Sequence, residues 1–143
     1  FVMAGTDVTT DNTELTGLVR ALGVGDVVIP IGELANTARL MAALDLLCLP
    51  SSSEGFPNVV GEAMSCGVPC VATDVGDAAW IVGDSGVVVP PRNQEALAAG
   101  MTTLLREPAS NRAELGRKVG RTEVNATPGV NLRLLSIPVP PNA

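Results

Sequence analysis

The stretch that decides the fold spans residues 46–76 and reads LLCLPSSSEGFPNVVGEAMSCGVPCVATDVG. A wholly apolar segment at 46–49 precedes a small polar loop. A helical pattern then runs through Glu62, ends at Gly67 and is followed by a second apolar segment at 70–73. Apolar segments without polar alternation are typical of strands that are buried on both faces. We therefore predict a strand–loop–helix–strand unit with parallel strands.

The same alternation continues on both sides of this unit. The predicted strands are 1–5, 27–29, 46–49, 70–73 and 86–89. The predicted helices begin at a capping box over Asp11–Asn12–Thr13–Glu14, at Asn36, with Pro57 in the first turn, near Asp77, and at Asn93. Strands that alternate with amphipathic helices predict the α/β class: a Rossmann-like parallel sheet with helices on both faces.

Two large side chains and the cysteines are assigned to the interior. We expect Met64 and Trp80 in the core. Cys48, Cys66 and Cys70 lie in apolar surroundings and lack Cys-x-x-Cys spacing, so we expect reduced, mostly buried thiols and neither a disulfide framework nor a zinc site.

Composition excludes several classes of function. The 143 residues include 15 acidic and 9 basic side chains and no histidine, so no Ser-His-Asp or Cys-His nucleophile can form from this chain. A formal charge of −6 and only three aromatic residues argue against a nucleic-acid partner. No apolar run approaches the roughly 18 residues of a membrane span.

The charge changes along the chain. Residues 1–107 hold 13 acidic and 4 basic side chains, whereas residues 108–143 hold 2 acidic and 5 basic ones. We therefore predict a ligand-binding domain over 1–107 and a short helix over 108–119. The divergent segment 120–143, which is rich in proline, is expected to be a poorly ordered tail.

The loop 50–57 is the most informative candidate site. It leads from a strand into a helix, and the free N–H groups and dipole at such a helix start favour an anion. Gly61 costs the helix about 0.8–1 kcal/mol relative to alanine, which a close contact with a neighbouring element or a ligand would explain. From the residues alone, Glu54 and Glu62 are either solvated surface carboxylates or acceptors for a ligand's hydroxyl groups.

A family resemblance favours the second interpretation. Glu54 and Glu62, with seven residues between them within EGFPNVVGEAMSCGVPCVATDVG, resemble the E-x7-E signature of retaining GT-B glycosyltransferases of the group 1 (GT4-type) family. The segments LMAALD at 40–45, IVGDSG at 81–86 and VVPP at 88–91 agree with it. The resemblance covers residues 1 to about 118 and implies that the chain is a fragment, the donor-binding C-terminal half of a GT-B fold.

The resemblance implies a role for each residue of the loop. Glu62 would accept hydrogen bonds from the ribose hydroxyls of a nucleotide-sugar, and Glu54, the catalytic candidate, would lie beside the donor sugar. The remaining substrate-binding candidates, which supply backbone contacts to the sugar or the diphosphate, are Gly55, Phe56, Pro57, Asn58 and Val59. The implied reaction is glycosyl transfer with retention through an oxocarbenium-like transition state. Neither a metal nor a cofactor is expected, because donor groups of the protein would stabilise the leaving diphosphate.

Two other loops are weaker candidates. Gly5–Thr6–Asp7 occupies the first strand-to-helix loop, where the family contacts the nucleotide, but the usual Gly-x-Gly form is missing. Asp74 and Asp77 follow the strand at 70–73; either contacts the donor, or Asp77 caps the next helix.

The sequence also departs from the family. The N-terminal acceptor-binding domain and an upstream loop with the Arg and Lys that hold the diphosphate are absent, so we expect this chain alone to be inactive. No lysine occurs in residues 1–117, which argues against a pyridoxal phosphate phosphorylase of the same architecture.

The expected location is cytoplasmic, with any attachment to the inner face of the membrane left to the missing domain. The rival hypothesis is a non-catalytic α/β module that binds a phosphorylated ligand or a protein partner; the paired glutamates argue against it.

Overall fold

A computed structural model describes residues 1–118 of the chain. These residues divide into two compact units, Phe1–Thr37 and a second unit that begins at Ala38. Each unit is described by itself. Within residues 1–118, no helix has both the length and the apolar character needed to cross a membrane.

The first unit is a strand–helix–strand element. Strands β1 (Val2–Met3) and β2 (Ile29–Pro30) pair in parallel. Helix α1 (Thr13–Ala21) connects them. The predicted helix start is one residue early, because the side chain of Asn12 rather than Asp11 accepts the N–H groups of the first turn, at 3.0 Å.

The second unit contains a three-stranded parallel sheet. Its strands are β3 (Leu47–Leu49), β4 (Cys70–Thr73) and β5 (Gly86–Val89), in the order β3–β4–β5. Its helices are α2 (Ala38–Ala42), α3 (Asn58–Ser65), α4 (Ala78–Val82), α5 (Gln94–Arg106) and α6 (Ala109–Lys118). The boundaries of β4 and β5 are those predicted from their apolar runs, and the other predicted elements differ by a few residues at their ends.

Helices cover both faces of this sheet. On one face, the buried residues Val60 and Met64 of α3 pack in one cluster with Cys70 and Ala72 of β4. On the other face, α5 approaches so closely that a Cβ at Gly100 would lie 3.1 Å from a methyl group of Val71. The predicted α/β class with helices on both faces is therefore confirmed.

Helix α6 is fixed by two kinds of contact. A Cβ at Gly116 would overlap the carbonyl group of Gly67, so this glycine lets α6 pack directly on the turn between α3 and β4. The guanidinium of Arg112 donates to the carbonyl oxygen of Glu107 at 2.7 Å and to the carboxylate of Asp45 at 2.8 Å. Because the Asp45 side chain is 74% exposed, the ion pair contributes little compared with the backbone contact.

One predicted core residue is on the surface. Met64 is buried as expected, but Trp80 is 60% exposed. The reason is the length and phase of α4: its buried residues are Ala78 and Val82, four positions apart, and Trp80 lies between them on the opposite side of the helix.

The three cysteines are unpaired thiols, as predicted. Cys70 is fully buried, whereas Cys48 and Cys66 are only partly buried. Burial raises the pKa of the Cys70 thiol to about 12 and also raises the pKa of Cys48. A buried neutral thiol of this kind is inert in the folded state.

The raised pKa of Cys70 predicts a loss of stability in alkali. Above pH 9 the thiol ionises in the unfolded chain but not in the folded one, so the free energy of unfolding should fall by up to about 1.4 kcal/mol per pH unit towards pH 12. The chain has no tyrosine or histidine and a single lysine, so the other side chains that titrate in this range are chiefly the thiols of Cys48 and Cys66. Urea unfolding followed by circular dichroism at pH 8, 9 and 10 measures the effect. Cys70→Ala should show a clearly smaller slope; an identical slope would contradict the assignment.

Candidate functional site

Three loops follow the carboxyl ends of the neighbouring parallel strands in the second unit. They are residues 50–57 after β3, 74–77 after β4 and 90–93 after β5. Because β3, β4 and β5 are parallel neighbours, the three loops lie at one edge of the sheet. The N–H of Asp74 donates to the carbonyl oxygen of Val89 at 2.8 Å and joins the second loop to the end of β5.

The first two loops are packed together through their backbones. Gly76 has a φ of +53°, and a Cβ there would overlap the carbonyl oxygens of Glu54 and Gly55. The N–H of Asp77 donates to the Gly55 carbonyl oxygen at 3.0 Å. Only glycine satisfies both the positive φ and the close approach, so Gly76 determines where the backbone of Glu54 can lie.

The carboxylate of Glu54 is held by its own loop. The Ser51 hydroxyl donates to Glu54 Oε1 at 2.6 Å, and both side chains are half-buried. The hydroxyl of Thr73, at the end of β4, donates to the carbonyl oxygen of Ser51 at 2.6 Å. Thr73 is only 3% exposed, so this second hydrogen bond is shielded from water.

The start of α3 lies beside this loop. Helix α3 begins at Asn58, and Pro57 occupies the position just before it rather than the predicted place in the first turn. No side chain among the described residues caps the helix start. The N–H of Asn58 donates to the Phe56 carbonyl oxygen and that of Val60 to the Pro57 carbonyl oxygen. Asn58 and Glu62 are exposed and four positions apart, so both side chains lie on the same face of α3, about 6 Å apart along its axis.

Carboxylates dominate this edge of the sheet. Glu62 and Asp74 are exposed, and Glu54 is half-buried. In the loops 50–57, 74–77 and 90–93, Arg92 is the single cationic residue. Carboxylates accept hydrogen bonds, so the edge suits a ligand rich in hydroxyl groups, while an anionic group is favoured at the N-terminus of α3 and near Arg92. Residues 1–118 contain no cluster of three side chains able to hold a metal ion.

The weaker candidates have structural roles. Asp77 precedes α4, but its side chain makes no capping hydrogen bond; its backbone N–H binds Gly55 instead. In the first unit, the Gly5 N–H donates to the Gly32 carbonyl oxygen at 3.0 Å, and the Thr6 hydroxyl donates to the Glu33 carboxylate.

Sequence reasoning missed three residues of the site: Ser51, Thr73 and Gly76. Ser51 is one of three consecutive serines, and only its position three residues before Glu54 distinguishes it from the others. Thr73 reads as the last residue of an apolar strand. Gly76, between two aspartates, carries the ordinary signal of a turn, but no local pattern reveals the loop that it contacts.

Packing among residues 1–118 does not explain Gly61. A Cβ at this position would meet no heavy atom within 4 Å outside the backbone of its own helix. The expectation of a close contact with a neighbouring element is therefore wrong. A ligand that lies against the first turn of α3 stays a prediction for this glycine.

Comparison with known proteins places this chain in a family. The family described as Glycosyl transferases group 1 matches residues 1–107. An N-acetyl-alpha-D-glucosaminyl L-malate synthase of Bacillus anthracis is 36% identical over 105 residues, which are 72% of this chain and 26% of the relative. A D-inositol 3-phosphate glycosyltransferase of Actinosynnema mirum is 35% identical over 111 residues, 75% of this chain and 27% of the relative.

Solved structures give the same assignment. Sucrose-phosphate synthase from Thermosynechococcus elongatus superimposes with a TM-score of 0.74 at 28% identity, over 82% of this chain and 32% of that one. HepE of Anabaena, solved in complex with UDP, gives 0.73 at 29% identity, over 82% and 34%. The chain thus spans about a quarter of these curated relatives and about a third of these solved chains.

The open space at Gly61 predicts opposite effects on stability and binding. Gly61→Ala should raise the free energy of unfolding by about 0.8–1 kcal/mol, because alanine is the better helix former and nothing obstructs its methyl group. The same methyl group should weaken the binding of a nucleotide against the first turn of α3. Urea unfolding and calorimetric titration measure the two effects.

Gly17→Ala in α1 is the matched control, because a Cβ there also meets nothing within 4 Å. It should stabilise to a similar extent and leave nucleotide affinity unchanged. An unchanged affinity in Gly61→Ala would remove the argument for a ligand at that glycine.

Proposed function

The chain belongs to the group 1 glycosyl transferases, and we propose that it is the donor-binding part of a retaining enzyme. The enzyme transfers a sugar, a hexose by the family resemblance, from a nucleotide-diphosphate-sugar to an acceptor in polysaccharide or glycoconjugate synthesis. The donor lies at the carboxyl edge of β3, β4 and β5, across the start of α3.

One observation carries this proposal: two glutamates lie on either side of an uncapped helix start. Glu54 is in the loop before α3, and Glu62 is on the exposed face of its second turn. The helix start favours a phosphate, and each carboxylate favours hydroxyl groups. A nucleotide-sugar has two groups of hydroxyls, on the ribose and on the sugar, with a diphosphate between them. HepE, a structural neighbour, has been solved with UDP-glucose as well as with UDP.

The two glutamates have different tasks in this proposal. Glu62 accepts hydrogen bonds from the ribose hydroxyls and so binds the donor. Glu54 lies beside the transferred sugar, where its negative charge stabilises the positive charge that develops as the bond to the diphosphate breaks. Backbone groups of residues 55–59 contact the sugar and diphosphate oxygens. No metal or cofactor takes part.

The proposal leaves the acceptor to another part of the enzyme. The described loops provide one cation, Arg92, for a diphosphate, so further cationic side chains must come from elsewhere in the full protein. We therefore propose that an acceptor-binding domain completes the cleft and that this chain alone does not turn over. A cytoplasmic location stays a prediction. It would give the enzyme access to a nucleotide-sugar donor in the cytosol.

The test is the selectivity of the Glu62 carboxylate. Glu62→Gln should weaken the binding of a nucleoside diphosphate by about 1.5–3 kcal/mol, roughly tenfold or more, because a charged acceptor for the ribose hydroxyls is lost. The binding of inorganic phosphate at the helix start should not weaken. Isothermal titration with UDP, GDP, ADP and phosphate measures both.

Glu95→Gln serves as the matched control, since Glu95 is an exposed glutamate in the first turn of α5. It should leave every affinity unchanged. If Glu62→Gln binds the nucleotides as well as the wild-type chain does, the ribose assignment is contradicted and a simple anion-binding module is favoured.

A further inference from the structure

The Glu54 carboxylate accepts a hydrogen bond from Ser51, which is itself held by Thr73, and neither hydroxyl lies within the E-x7-E spacing of residues 54–62. We infer that Ser51 and Thr73 are positioning residues for Glu54: they orient its carboxylate towards the donor sugar. The inference rests on the proposed function, because it concerns how the sugar-facing carboxylate is held.

Ser51 contacts the carboxylate of Glu54 directly. The hydroxyl donates to Oε1 at 2.6 Å, a short, charge-assisted hydrogen bond. It occupies one oxygen of the carboxylate, Oε1. Ser51 lies three residues before Glu54, in a loop with two other serines. Its hydrogen bond selects one rotamer of the Glu54 side chain, which would otherwise be free to rotate.

Ser51 is itself held in place by a hydrogen bond from Thr73. Its carbonyl oxygen accepts from the buried hydroxyl of Thr73 at 2.6 Å, and the same hydroxyl lies 3.4 Å from the carbonyl oxygen of Leu49. Thr73 is the last residue of β4, the central strand of the three-stranded sheet. The position of the loop after β3 is thereby determined by the neighbouring strand.

The backbone of Glu54 is held by the loop after β4. Gly76 packs against the Glu54 and Gly55 carbonyl groups, and the Asp77 N–H binds the Gly55 carbonyl oxygen at 3.0 Å. Glu54 is therefore held at its carboxylate by Ser51 and at its backbone by the loop after β4. A preorganised charge stabilises a transition state better than one that must be reoriented during the reaction.

A positioning role for Ser51 and a simple loop contact predict different changes in ligand affinity when Ser51 is lost. If Ser51 only stabilised the loop, its loss would weaken every ligand at this edge to the same extent. If it orients the carboxylate towards the sugar, its loss affects the sugar and spares the nucleotide, which Glu62 and the helix start bind. The difference in affinity between a nucleotide-sugar and its nucleoside diphosphate separates the two cases.

The experiment compares Ser51→Ala with Ser53→Ala, an exposed serine of the same loop. UDP with UDP-glucose, and GDP with GDP-mannose, are titrated into the 143-residue chain. Ser51→Ala should lower the affinity for the nucleotide-sugar by about three- to tenfold and leave that for the nucleoside diphosphate unchanged. Ser53→Ala should change neither. An equal loss for nucleotide and nucleotide-sugar would overturn the inference.

Thr73 is tested by a conservative pair. Thr73→Val removes the hydroxyl with little change in volume, and Thr73→Ser retains it. The valine variant should show the same sugar-specific loss, and the serine variant should restore wild-type affinity. Equal behaviour of the two variants would contradict a role for the hydroxyl.

A ligand-free readout separates failure of the inference from failure of the proposed function. Three-bond NMR couplings of the Glu54 side chain should report one dominant rotamer in the wild-type chain and averaging in Ser51→Ala. Unchanged couplings would overturn the inference whatever the titrations show. A wild-type chain that binds none of the four nucleotides would instead contradict the proposed function, and the couplings would still decide whether Ser51 holds Glu54.

Discussion

The structure of the candidate site depends on one backbone contact between two loops. Gly76, in a conformation that other residues rarely adopt, packs directly against the carbonyl groups of Glu54 and Gly55. Because the Asp77 N–H also binds Gly55, the loop after β4 fixes the loop after β3. The hydroxyl contacts of Ser51 and Thr73 complete the arrangement. A carboxylate in an exposed loop is thus held by the rigid sheet rather than by the loop alone.

The charges at this edge determine what it can bind. Acidic side chains outnumber the single cation, Arg92, in the three loops, so the edge does not attract phosphate over its whole area. Apart from Arg92, favourable contact with an anion is confined to the uncapped start of α3. On either side of it, carboxylates offer acceptors to hydroxyl groups. This alternation of acceptor, anion site and acceptor matches a nucleotide-sugar better than it matches a phosphate or an acidic peptide.

Much of the fold was predictable from the sequence. The apolar runs at 70–73 and 86–89 give the strands β4 and β5 without error, because a continuous apolar run between turns is a strong local signal. Trp80 was misplaced, because a five-residue helix shows too little periodicity to define its buried face. The roles of the two glutamates remain predictions that rest on the resemblance to the family signature. Ser51 was not predicted, because its role depends on the loop geometry around Glu54, and no local pattern encodes that geometry.

The central claim is that the carboxyl edge around the start of α3 binds a nucleotide. An amide-resolved NMR titration of the chain with UDP, GDP and ADP tests it most directly. Saturable shifts are expected in residues 54–62 and in the adjoining loop 74–77, with one base preferred. Saturable shifts confined to another surface, or a dispersed spectrum that none of the three nucleotides changes, would contradict it.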